Sequence, residues 1–284
     1  MRWQGRRQSD NVEDRRRIGG RGLAVGGGLG GVVLVILYLL LGGNPGEVTQ
    51  GLQVDQPAAA GGGERELSAH EQEMGRFVST VLASLEDVWG ARFQEMGRTY
   101  VEPKLVLFSG QIDSACGAAG ASSGPFYCPG DSKVYIDLSF FEDMQRRLGA
   151  PGDFALAYVI AHEVGHHVQN LLGINDEIMA RRGRMPEREF NKLMVRMELQ
   201  ADFLAGVWAH YAKLEKDYLE AGDIEEGMNA ASAVGDDRIM KQTQGYVVPD
   251  AFTHGTSEQR LRWFKKGLET GDIRQGDTFG AASL

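Results

Sequence analysis

Cysteine is nearly absent from this 284-residue sequence, and Cys116 and Cys128 are its only two. No Cys-x-x-Cys pair occurs, which argues against a thiolate-bound structural zinc of the finger or ribbon type. The two cysteines bracket a segment containing Gly117, Gly120, Gly124 and Pro125. A disulfide across this segment is expected. Closing a loop of about a dozen residues contributes about 3 kcal/mol in the chain-entropy model. Net positive charge is lacking as well. The chain carries −9, and the seven arginines within residues 1–46 oppose only Asp10, Glu13 and Asp14, so the remainder is more acidic than the whole. Such a body is a poor partner for phosphates, and no nucleic-acid partner is expected. Internal repeats are missing too, since Gly222-Asp223-Ile224 and Gly271-Asp272-Ile273 match over three residues only. Apolar residues are not scarce. At 42% they suffice for a real core and exclude a disordered chain.

Charge disappears altogether between Gly22 and Gly46, where the run from Val32 to Leu41 is strongly apolar. About 20 residues span the hydrocarbon core of a bilayer, and this stretch is long enough. Tyr38 lies toward one end, as an interfacial aromatic would. The expectation is a basic cytoplasmic segment at 1–22 and a transmembrane helix at 23–41. A cleaved signal peptide is the rival reading, disfavoured by the long polar lead and the lack of an Ala-x-Ala site after Leu41. A flexible linker rich in Gly, Pro, Ala and Gln follows at 42–63, and then an exported domain at 64–284.

Within that domain the fold class reads as mainly helical α+β with a small sheet. Met74, Phe77, Val81, Leu85 and Val88 recur at helical spacing in a helix starting near Glu64. Lys104–Phe108 and Val134–Leu138 read as strands. The second of these is expected to be the sheet edge above a cleft. Further helices are expected at 152–172, from Pro186 to about Glu220, from Ile224 to Gln244, and after Thr256, where Gln259 completes a capping box.

His162 and His166 are one helical turn apart, so a single ion can take a nitrogen from each. Glu163 lies beside them and can reach a metal-bound water without ligating. The preceding run from Ala155 to Ala161 carries no charge, which suits a buried helix. A three-ligand zinc site needs one more group, and Glu198 is the candidate. It falls inside the apolar stripe of Phe190, Met194, Met197, Ala201 and Leu204, where an unpaired carboxylate is costly. A buried ion pair with Arg196 or Arg238 is the bland alternative. Asp202, one turn further, suits the task of accepting the free N–H of a liganding histidine. His167 points about 100° away from His166. His210 reads as structural and His70 as exposed. His254 stands just before a helix and is a candidate to stabilise an oxyanion, with Tyr246 a weaker one and a plain turn histidine the alternative.

These motifs together resemble the bacterial neutral zinc metallopeptidase family. The resemblance rests on the segments at 162–169 and 198–202, the loop from Gly124 to Pro129, the Arg-rich start, the Gly235-Asp236-Asp237 turn and the run from His254 to Arg260. It implies a zincin-like, gluzincin-type peptidase with zinc held by His162, His166 and Glu198, Asp202 behind them and Glu163 as general base. The run from His254 to Arg260 is similar to one in membrane-associated peptidases of the gluzincin group, but Gly255 follows His254 where those usually have proline. The expected protein is a single-pass protein of a bacterial cell membrane, N-terminus cytoplasmic, acting on a peptide or protein substrate. The alternative is a zinc-binding scaffold with a peptidase-like fold and little hydrolysis.

Overall fold

The computed structural model of the protein describes residues 1–17, 66–120, 123–215 and 217–284. The transmembrane helix expected at 23–41 and the linker expected at 42–63 lie outside them. The architecture is mainly helical α+β with a small sheet. Strand β1 (Val12–Asp14) comes first, followed by helix α1 (Ala69–Glu95). Ser68 caps α1 in a reciprocal box with Glu71. Its inner face buries Phe77, Val81, Leu82, Leu85 and Trp89. Strands β2 (Lys104–Phe108), β3 (Gln111–Ser114), β4 (Gly117–Gly120), β5 (Phe126–Cys128) and β6 (Lys133–Asp137) follow. The remaining helices are α2 (Ser139–Arg147), α3 (Asp153–Leu171), α4 (Ile174–Met179), α5 (Glu187–Leu214), α6 (Asp223–Ala233), α7 (Asp236–Gln244) and α8 (Ser257–Thr270).

The main sheet has the order β1-β2-β6-β5. The first three strands are parallel, and β5 runs antiparallel to β6. Leu105–Phe108 and Val134–Asp137 are buried throughout, as suits strands covered on both faces. The 134–138 strand is therefore internal, and the edge on its side of the sheet is β5. The error has a local cause. β5 has three residues inside a Gly- and Pro-rich stretch, too few for a periodic signal. Cys116 and Cys128 form the expected disulfide, which ties the β3–β4 hairpin to the end of β5.

The expectation of a single-pass membrane protein with a cytoplasmic N-terminus is overturned. Among the described residues, no helix is long and apolar enough to cross a membrane. Residues 1–17 also belong to the same body as the rest. Val12, Glu13 and Asp14 pair in register with Leu105, Val106 and Leu107. Met1 and Trp3 are buried in the main core. A single crossing between residues 17 and 66 would place hydrogen-bonded strands on opposite faces of a bilayer. Several of the arginines read as a topology signal are instead held by acidic side chains of this same body. Arg2 pairs with Glu220, Arg6 with Glu215, and Arg7 with Glu86 and Asp87. Arg16 is buried, pairs with Asp14 and donates to the Glu71 carbonyl at 2.6 Å.

The helical layer is built on α3, α5 and α8. Gly206 lets α5 and α8 touch at backbone distance, because a Cβ there would sit 2.1 Å from the Phe264 carbonyl oxygen. Gly165 does the same more gently for α3 and α5, where a Cβ would meet the Ala201 carbonyl oxygen at 3.0 Å. The helix expected over 224–244 is two, broken at Val234-Gly235. That break carries Asp236 to the start of α7, facing the loop before α8.

Candidate metal centre

Three donor atoms converge where α3 passes α5. One atom each from His162, His166 and Glu198 lies within 4.8 Å of the other two. His162 Nε2 is 3.2 Å from one Glu198 oxygen, and His166 Nε2 is 3.5 Å from the other. Donors bound to a tetrahedral zinc at about 2.0–2.1 Å stand about 3.3 Å apart. The set is of the right size and of the right chemistry for zinc. Neither arginine considered as a partner of Glu198 takes that place. Arg196 donates to the carbonyls of Thr278, Phe279 and Ala281, and Arg238 to that of Leu148.

Both imidazoles are held from behind, each by a different device. His162 Nδ1 donates to Asp202 Oδ1 at 2.8 Å. Asp202 is fully buried, and Arg260 grips it with Nε at 2.8 Å and Nη2 at 2.9 Å. The Tyr158 hydroxyl donates to the same carboxylate. His166 Nδ1 donates to Gln169 Oε1 at 2.9 Å. The Gln169 amide nitrogen donates in turn to the Met197 carbonyl at 2.7 Å and to Gln200 Oε1 at 3.0 Å, which fixes the amide's orientation. In both rings Nε2 is thus the nitrogen turned toward Glu198.

The charges reinforce one another. Burial works against a charged His162, yet Asp202 and then Glu198 outweigh it and raise its pKa to about 10. Burial likewise opposes a charged Glu198, but His166 and His254 hold its pKa well below the ordinary value. Burial would raise Asp202, and Arg260 followed by His162 brings it down from 3.8 to about 2. A depressed carboxylate stabilises the fold above its unfolded pKa and ceases to do so as pH falls through its folded one. Asp202 should therefore contribute fully above about pH 4 and lose its contribution toward about pH 2. In urea unfolding of zinc-free protein, the gap between the parent and Asp202→Asn should close over that window. A gap that stays constant there would show that Asp202 is not the responsible group.

Glu163 lies one residue beyond His162 and lines a cleft of about 420 Å³. It is only 8% exposed, and among the described residues its carboxylate has no hydrogen-bond or ion-pair partner. The cleft is bordered by Ser123–Tyr127 on one side and by Phe140, Leu148, Val159, Val234 and Ile239 on others. His254 reaches it as well, with its side chain half exposed. Asp236 holds this histidine, accepting from His254 Nδ1 at 3.1 Å through Oδ1. Its Oδ2 accepts from the backbone N–H groups of Thr253, His254 and Gly255. Burial lowers the His254 pKa, but Glu198 and Asp236 prevail and raise it.

The other candidates fall outside the cluster. His167 is buried against Tyr127 and the Val101 carbonyl. His210 bonds the Leu268 carbonyl at 2.8 Å. His70 and Tyr246 are exposed, and Tyr246 does not line the cleft. Sequence reasoning missed Arg260, Gln169, Asp236 and Tyr158 as parts of the site. Two had a readable signal. Arg260 lies one turn before Trp263 and Phe264 on the buried stripe of α8, and Gln169 lies one turn beyond His166 on α3.

Comparison with known proteins agrees with this chemistry. A family model described as "Putative neutral zinc metallopeptidase" matches residues 1–279. The uncharacterized protein YpfJ of Escherichia coli (strain K12) is 52% identical over 286 residues, covering 99% of each chain. The uncharacterized protein Rv2575 of Mycobacterium tuberculosis (strain H37Rv) is 42% identical over 257 residues, covering 87% of this chain and 86% of its own. No solved structure gives a significant match. With the model spanning nearly the whole length and relatives this similar, the chain belongs to the neutral zinc metallopeptidase family.

Proposed function

We propose that this chain hydrolyses peptide bonds in a zincin-like domain, with zinc held by His162, His166 and Glu198 and Glu163 as general base. The observation that carries the reading is the convergence of those three donors beside a buried carboxylate in a cleft, one that has no partner among the described residues. Zinc, when bound there, supplies Lewis acidity that polarises a carbonyl and lowers the pKa of a water toward about 7. Glu163 removes a proton from the attacking water and returns it to the nitrogen of the leaving amine. Asp202 and Gln169 hold both rings through Nδ1–H, so that Nε2 is the nitrogen offered to zinc, which would displace any proton it carries. His254 bonds Asp236 through Nδ1, and its raised pKa leaves an N–H on Nε2 for the developing oxyanion.

The outer side of β5 offers the substrate its place. The strand is an edge, pairs only with β6 among the described strands, and contributes Phe126 and Tyr127 to the cleft. An extended peptide adding there would gain backbone hydrogen bonds along the cleft. The reading also implies a polypeptide partner and no nucleic acid.

Metal analysis of the full chain, paired with a peptide-library digest, tests the proposal. About one zinc per chain and cleavage that a chelator stops and zinc restores are the expected results. Cleavage indifferent to chelation would refute it. Zinc without cleavage of any peptide would favour a scaffold that keeps the centre and has lost the chemistry.

A further inference from the structure

β5 is three residues long, and so short an edge strand is held only weakly by its ladder. Each of its residues has a further fastening. Phe126 stacks on Tyr135 with ring centres 4.9 Å apart. Cys128 is bonded to Cys116. Tyr127 reaches the opposite way, onto the helix that carries the metal-facing histidines. Its hydroxyl accepts from Asn170 Nδ2 at 3.1 Å and donates to His167 Nδ1 at 3.0 Å. The direction of that second bond follows from the other side of the ring. His167 Nε2 is 2.6 Å from the Val101 carbonyl oxygen, which can only accept, so Nε2 carries the proton and Nδ1 the lone pair. His167 is 1% exposed and packs edge-on against Tyr127 and Tyr100. It does not line the cleft.

Two adjacent histidines on α3 thus face opposite ways. His166 turns to Glu198, and His167 turns to the strand at the cleft's border. We infer that His167 is a positioning residue: through Tyr127 it fixes the height and register of β5 over the metal-facing nitrogens, and so the path of an extended polypeptide substrate. The inference rests on the peptidase reading above and deepens it. It names the substrate as a stretch of several extended residues, because only such a chain can use the register of β5. Misplacement of the strand penalises substrate binding without touching any donor to the metal. Since His167 lies outside the cleft, its effect on substrate must pass through the strand.

Steady-state kinetics and metal analysis of the full chain, with a peptide that the parent cleaves, provide the test. Tyr127→Phe and His167→Phe are expected to raise KM about tenfold, with kcat changed less than about threefold and zinc content unchanged. His167→Gln, whose amide can donate to Val101 and accept from Tyr127, is expected to recover most of the loss. Unchanged KM in both aromatic variants, with the parent active, would overturn the inference and leave the peptidase reading standing. Loss of zinc together with kcat would also overturn it, reducing His167 to a support of its neighbour. A zinc-loaded parent that cleaves no peptide would sink both. If His167→Phe does not fold, Tyr127→Phe decides.

Discussion

Glu163→Gln is expected to lower peptide hydrolysis about a thousandfold while zinc content stays at the parental level. Glutamine keeps the volume and shape of the side chain but cannot take a proton from water. Glu163 is not one of the converging donors, so its loss leaves His162, His166 and Glu198 in place. The same substitution should not destabilise the fold. Its carboxylate lines the cleft and has no hydrogen-bond or ion-pair partner among the described residues, so the amide breaks no such contact and the thermal midpoint should hold. The measurement is kcat on a cleaved peptide alongside metal analysis and a melting curve. A variant that cleaves at a tenth of the parental rate or faster would remove Glu163 from the role of base.

Arg260→Leu is the second large effect. The guanidinium makes two hydrogen bonds to Asp202, which has no exposed surface. Removing one member of a buried pair leaves the other charge uncompensated, which typically costs about 3–5 kcal/mol. Tyr158 and His162 still contact Asp202, so the lower end of that range is the expectation. Zinc affinity should fall as well, by about 10- to 100-fold, because the orientation of His162 depends on the same carboxylate. Urea unfolding of zinc-free protein and chelator competition measure the two separately. The double change Asp202→Asn with Arg260→Leu should recover part of the stability, since no buried charge is then left unpaired. A loss under about 1 kcal/mol for Arg260→Leu alone would mean that water reaches Asp202.

Much of the centre was legible because it is written at helical spacing. His162 and His166, and then Glu198 and Asp202, each stand four apart on long apolar helices, and local periodicity is the strongest signal a sequence carries. The capping box at Thr256 was legible for the same reason. What failed was long-range or short. β1 has three residues, and its partner Leu105 lies far along the chain from Val12, so no window could connect them. The arginines near the start looked like a topology signal because their acidic partners, Glu215 and Glu220 among them, are equally remote. Asp236 orients His254 only because the helix expected to run through Gly235 breaks there and the His254 loop folds back. Gly255, which stands where membrane-associated peptidases of the gluzincin group usually have proline, has φ +94°, and a Cβ there would meet Val195 and Leu199 at 3.2 and 3.3 Å. Its neighbour His254 still reaches the cleft.

The place of the first seventeen residues also bears on how the molecule comes into being. β1 leaves the ribosome early but finds its ladder only when β2 has been made. The backbone N–H of Arg2 waits longer still, for the Tyr218 carbonyl, to which it donates at 2.9 Å. Contacts this distant in sequence close late and slow folding, because the entropy of the intervening chain is lost before they form. Residues 1–17 are thus expected to dock late, and deleting them should harm assembly of the sheet more than their number suggests.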